Sequence, residues 1–289
     1  MFKEIGEGID GENVKCNLVM NRIAFLIMNP GLPGNRNYAP TVEIAYNRVK
    51  DYLKSPVGGY WQDEEILELP RIVDVENLEK DFSNKMEAIG NADVEYSLII
   101  FIGHGGAVDG DDCIQLEDGR IIPISTLTMP VSPNTKRTVV IDACRSYVAI
   151  PKRDLLLEQR MFSGEGQIQG IWCGDYYNRL IIQCKPHVEL IQSTQYGQVA
   201  HGSSKGTAFT DALLETVKTN GALWNQIALN DSHGEYSCNY RDMENDIKNG
   251  MIDFGQIPQY TNTSDCAFPL FAVKRPASRI LQGEIEPLL

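Results

Sequence analysis

The chain has 289 residues, 43% of them hydrophobic and 22% charged, with a formal net charge of −13. These values suit a globular protein of one large α/β domain or two small ones, long enough to bury a sizeable core. The acidic balance argues against a nucleic-acid-binding surface, which needs a basic footprint; it is explained first by solubility and would also suit a cationic partner or peptide.

Seven cysteines, at 16, 113, 144, 173, 184, 238 and 266, are odd in number and show no Cys-x-x-Cys or zinc-ligand spacing. Neither a disulfide framework nor a structural zinc site is therefore expected, and scattered thiols fit a reducing compartment. The polar start MFKEIGEGIDGENVK is no signal peptide, and no apolar run approaches the ~20 residues that span a bilayer. A cytoplasmic protein without membrane contact is expected.

In chain order, an N-terminal extension (1–20) leads to the apolar run Arg22–Met28, a strand buried on both faces. After the loop NPGLPGNRNYAP, Thr41 can cap a helix with Val42, Ala45, Tyr46, Val49 and Leu53 on one stripe. The strand EEILELP precedes a second helix, with Asp74 as cap and Leu78, Phe82, Met86 and Ile89 on one face. Tyr96–Ile102 is another fully apolar strand, broken at Gly-His-Gly-Gly. A hairpin turning at Asp118-Gly119 leads to the strand Arg137–Ile141. Residues 147–185 lack a clear period and read as a long connection. The strand VELIQST, a helix from about Thr207 to Val217 closed by Asn220-Gly221, and a last strand AFPLFAVK follow. A tail occupies 276–289. Strands apolar on both faces that alternate with helices predict an α/β fold with a mostly parallel, helix-covered sheet.

In such a sheet, reactive groups collect at the carboxyl ends of the strands. Two ends carry chemistry: His104 after LIIFIG and Cys144 after TVVIDA. A thiol needs a base to act as a nucleophile at neutral pH, and His104 can supply one and later protonate a leaving amine. The N–H groups of Gly105 and Cys144 could bind a developing oxyanion. No carboxylate that would orient His104 is evident. A lone cysteine at a strand end is most often a packed small hydrophobe, and the two motifs gain weight only as a pair. His201 and His233 precede glycines in polar loops and read as surface turns, and His187 carries no signal. GHGG as a phosphate loop lacks the Walker and dinucleotide spacings.

The pairing of FIGHGG with IDACRS resembles the caspase and metacaspase cysteine peptidases. Ala143-Cys144-Arg145 matches the caspase signature, with the histidine upstream. Ser204–Thr210 (SKGTAFT) is similar to the family's small-subunit stretch, and Gln256-Ile-Pro-Gln259 is similar to the Q-T-P-Q of metacaspases. The resemblance covers roughly residues 20–275. It implies a caspase-like three-layer sandwich over 21–275, with helices on both faces of a mostly parallel six-stranded sheet. It also implies an endopeptidase acting on proteins or peptides, with Cys144 as nucleophile, His104 as acid/base and Gly105 in the oxyanion hole. Regulated proteolysis in cell death or defence is the setting it suggests.

The resemblance further places a cleavable linker within 147–185, with Lys152, Arg153, Arg160 and Arg179 as self-processing candidates. Asp142 is the metacaspase choice two residues before the cysteine and suits a P1 arginine or lysine. Arg36 lies where caspases place a pocket arginine, Arg48 stands where metacaspases often have an acid, and Ser193 is a further S1 candidate. Asp142 paired structurally with Arg36 or Arg145, an aspartate-specific enzyme, and a non-catalytic scaffold are the competing readings. Calcium at Asp109, Asp111 and Asp112 is the one metal considered, against a solvated turn; no other cofactor is expected. Control would come from self-processing, an ion or an activating partner protein.

Overall fold

A computed structural model of the protein describes residues 20–74, 76–145, 167–227 and 234–274. The expected tail, nearly all of the N-terminal extension, Lys152, Arg153, Arg160 and His233 lie outside the described residues.

The chain runs β1 (Arg22–Asn29), α1 (Pro40–Lys54), β2 (Ile66–Glu68), α2 (Leu78–Ile89) and β3 (Tyr96–Gly103). A three-stranded sheet then forms from β4 (Gly105–Val108), β5 (Asp111–Gln115) and β6 (Ile121–Pro123), followed by α3 (Ile124–Thr128) and β7 (Lys136–Ala143). Next come α4 (Gln167–Gln183), β8 (His187–Gln192), the short pair β9 (Gly202–Ser203) and β10 (Gly206–Thr207), and α5 (Ala208–Ile227). The last elements are β11 (Glu235–Asn239), α6 (Tyr240–Gly250), β12 (Gln259–Asn262) and β13 (Pro269–Lys274).

Six strands form the central sheet in the order β12-β8-β7-β3-β1-β2, parallel throughout except for β12, which runs antiparallel to β8. Its strands are apolar on both faces because both faces are covered. Phe25, Ile27, Ile99, Phe101, Val139 and Ile141 join Leu78 and Phe82 of α2 and Leu127 of α3 in one core. The alternate residues Ala24, Leu26, Leu98, Ile100 and Val140 pack with Val49 of α1, Tyr177 of α4, Phe209 of α5 and Met243 of α6 in the other. This is the expected α/β three-layer sandwich. Each fully buried aliphatic or aromatic side chain contributes about 1.5–3 kcal/mol, so the two cores fix the strand order that builds the rim.

Several expectations are corrected. The connection expected over 147–185 contains α4, seated by buried Cys173, Tyr177 and Ile181. Arg179 therefore lies in helical backbone and pairs with Glu235 at 2.7 Å, whereas cleavage needs exposed, extended chain; it is not a processing site in this fold. The α1 helix starts at Pro40 with no side-chain cap from Thr41, since proline's fixed φ already suits a first helical position. Asn77, not Asp74, caps α2 by accepting the Lys80 N–H. The α5 helix continues through Asn220-Gly221, because its packing outweighs the ~1 kcal/mol that an interior glycine costs. The last strand β13 pairs with β11 outside the main sheet, whose antiparallel edge is β12 instead. Cys184 and Cys266 are joined by a disulfide, with Cα atoms 5.7 Å apart. Cysteine spacing could not signal it, because Cys184 follows α4 and Cys266 precedes β13, two elements that only the tertiary fold brings together.

Pairing of β1, β3 and β7 sets Asn29, Gly103 and Ala143 in one row at the carboxyl rim. Gly103 has φ +153°, and a Cβ there would lie 2.4 Å from the Asn29 carbonyl oxygen, so only glycine fits. Gly103→Ala is expected to cost about 1–3 kcal/mol from backbone strain alone, with the steric clash adding to it. Chemical denaturation measures this, and an unchanged midpoint would contradict the tight row.

Candidate active site

His104 and Cys144 are the residues that immediately follow the paired Gly103 and Ala143. Adjacent strands in register thus release both side chains at one rim. The ring Nε2 of His104 sits 2.7 Å from the carbonyl oxygen of Asn37, in the β1–α1 loop. A carbonyl only accepts, so Nε2 carries the hydrogen, and in the neutral ring Nδ1 is left as the base. The orienting group missing from the sequence is therefore a backbone oxygen, for which no residue type is diagnostic. Its loop is closed by the Ala39 N–H on the Pro30 carbonyl at 2.7 Å.

Cys144 is buried, 8% exposed, and its Sγ accepts the Ala200 N–H at 3.2 Å. Burial pushes the thiol pKa up; the Ala200 N–H offsets part of this, and the Asp142 charge adds to it. The resting side chain is a thiol that needs a base. Gly105 opens β4 directly against this residue: a Cβ there would approach the Cys144 carbonyl oxygen to 3.0 Å and the Ala143 Cβ to 2.9 Å. Glycine is what lets the β4 strand close over the Cys144 backbone.

On the face shared with α5, Asp142 is 2% exposed. Its Oδ2 accepts the hydroxyls of Thr207 and of Thr210, the latter at 2.8 Å. Among the described residues, its Oδ1 has no hydrogen-bond partner. Burial raises the carboxyl pKa, while the hydrogen bonds from Thr207 and Thr210 counter the rise. Ser193 ties the strand ends together: its Oγ accepts the Ala143 N–H at 3.1 Å.

The family pattern of the caspase domain matches residues 46–267, most of the chain. The protein belongs to the caspase-domain family. Its members are cysteine peptidases, which act on protein substrates. No curated protein sequence gives a significant match. Among solved structures, caspase-1 from Spodoptera frugiperda is similar at 11% identity, over 84% of this chain and 86% of that one, with a TM-score of 0.47. A protein from Geobacter sulfurreducens is similar at 18% identity, over 88% and 97%, with the same TM-score. Membership rests on the sequence-family match. Among the described residues, no helix is long and apolar enough to cross a membrane.

The other residues expected in this caspase-domain site divide clearly. Arg145 does not pair with Asp142: its Nε donates to Asp112 Oδ1 at 2.9 Å and its Nη1 to the Thr194 carbonyl at 3.1 Å and to Gln259. Arg48 is bound to Asp211 at 2.9 Å, which removes its charge from the rim. Arg36 is exposed in the β1–α1 loop, without an ion pair to Asp142. At the acidic turn, Asp112 is committed to Arg145, and no group of three acids, histidines or cysteines that could hold a metal exists among the described residues. His201 is exposed, as expected of a surface turn, but His187 is buried, 3.2 Å from Glu189 and stacked on Phe268. Thr207, Thr210 and Ala200 are site residues that sequence reasoning missed; the two threonines lay within the SKGTAFT motif.

A thiol whose pKa is raised forms thiolate only as pH climbs past the ordinary cysteine range. Iodoacetamide labelling of Cys144, followed by mass spectrometry, is therefore expected to be slow at pH 7 and to accelerate above about pH 9. A full rate already present at pH 6 would contradict a buried resting thiol.

Proposed function

We propose that the protein is an endopeptidase with a Cys144–His104 dyad that cuts after arginine or lysine. In this mechanism Nδ1 of His104 takes the thiol proton as Sγ attacks the scissile carbonyl. The N–H groups of Gly105 and Cys144 hold the oxyanion. The imidazolium then protonates the leaving amine, giving an acyl-enzyme and a new amino terminus. Water, deprotonated by His104, adds to the thioester; collapse expels the sulfur, which regains its proton.

Asp142 carries the specificity reading. A buried carboxylate oxygen without a partner is costly, and a cationic group that reaches it repays the loss. A P1 guanidinium or ammonium is such a group. An aspartate at P1 would instead meet a negative pocket wall, with Arg145 and Arg48 already committed to Asp112 and Asp211. We place the activity in the cytoplasm, in regulated proteolysis, with self-processing after Lys152, Arg153 or Arg160 as one route of control.

A fluorogenic P1 library comparing arginine, lysine and aspartate tests this. Cys144→Ala and His104→Ala are each expected to lower kcat/KM by about 10³-fold or more while the fold survives. Asp142→Asn is expected to cost about 10²-fold on P1-arginine substrates. Preference for aspartate in the wild type, or arginine preference surviving Asp142→Asn, would overturn the reading.

A further inference from the structure

We infer that Thr207 and Thr210 are positioning residues for substrate selection, holding Asp142 as an oriented anion whose Oδ1 is kept free for a cationic P1 side chain. This rests on the basic-P1 reading and adds to it how the pocket is built.

Both threonines are themselves buried, 6% and 2% exposed, Thr207 closing β10 and Thr210 in the first turn of α5. Their hydroxyls converge on the same oxygen, Oδ2. Thr207 is held on both sides: its Oγ1 accepts the Thr210 N–H at 3.3 Å, and its hydrogen goes to the Asp142 carboxylate, which only accepts. The carboxylate also lies at the positive end of α5, a 20-residue helix.

What these donors lack matters as much as what they give. Among the described residues, the side chains bonded to Asp142 are the hydroxyls of Thr207 and Thr210, and neither is cationic. A lysine or arginine partner would fix the carboxylate equally well but would cancel its charge before substrate arrived. Neutral donors stabilise the anion against burial and leave its full negative charge to act on the incoming cation. Two donors on Oδ2 also set the plane of the carboxylate, so that Oδ1 presents one lone-pair geometry rather than several.

The test uses the full chain and two peptidyl substrates alike except at P1: arginine, and citrulline, its uncharged near-isostere. Thr207→Val and Thr210→Val keep the shape and remove the hydroxyl. Each is expected to raise KM for the arginine substrate about tenfold, with kcat within about twofold and the citrulline KM unmoved. Thr207→Ser and Thr210→Ser, which keep the hydroxyl, are expected to match wild type; they carry the test alone if a valine variant fails to fold. Serine variants as impaired as Asp142→Asn, or valine variants with a wild-type KM, would overturn the inference. Asp142→Asn separates the two levels. If it leaves the arginine-over-citrulline preference intact, the basic-P1 reading itself fails. If it abolishes that preference while the valine variants retain it, only the threonine assignment fails.

Discussion

The register between β3 and β7 is the constraint on which the site depends. Parallel pairing sets Gly103 opposite Ala143, so the next residue on each strand, His104 and Cys144, leaves the sheet at the same level. A slip of one residue would turn each strand's apolar set to the other face, and both faces are buried here, each against its own helices. The two cores therefore hold the spacing of His104 and Cys144 indirectly, through the strands. Gly103 locks the same row from the other side, packed against Asn29 where no Cβ fits.

The rim's electrostatics follow from how its charges are spent. Arg145, beside Cys144, is tied to Asp112, Thr194 and Gln259, and so joins the β5 strand to the ends of β8 and β12. Its charge is neutralised locally and serves architecture. Asp142 stands in the opposite case, buried and held by neutral donors. One acidic group at the rim is thus saturated by an arginine and another is left uncompensated. That contrast is what supports a reading of substrate charge, and it is a contrast of partners, not of composition.

Much of this was legible in the sequence, and the remainder was not for definite reasons. Apolar runs such as YSLIIFI and RTVVI announce covered parallel strands, and each ends at the residue that matters. The neighbouring placement of β3 and β7 is tertiary, and only the structure supplies it. The α4 helix was missed because Ile171, Trp172 and Ile182 are exposed while Gly170 and Gly174 are buried, which blurs the 3.6-residue period. By contrast, α6 carried signals that went unread: the Asn239–Asp242 capping box and buried Tyr240, Met243 and Ile247. The partner of His104 could not be read at all, since the Asn37 carbonyl would be the same in any residue. Asp142 was visible as an odd acid in an apolar strand. Its commitment to Thr207 and Thr210, more than 60 residues away, appears only once α5 is docked.

A crystal structure of the protein inactivated by a peptidyl-arginyl chloromethyl ketone tests the central claim most directly. The account predicts a covalent bond to Cys144 Sγ and a guanidinium nitrogen within hydrogen-bond distance of Asp142 Oδ1, with Thr207 and Thr210 still on Oδ2. Alkylation of another cysteine, or a guanidinium turned away from an Asp142 whose Oδ1 stays unpaired, would contradict it.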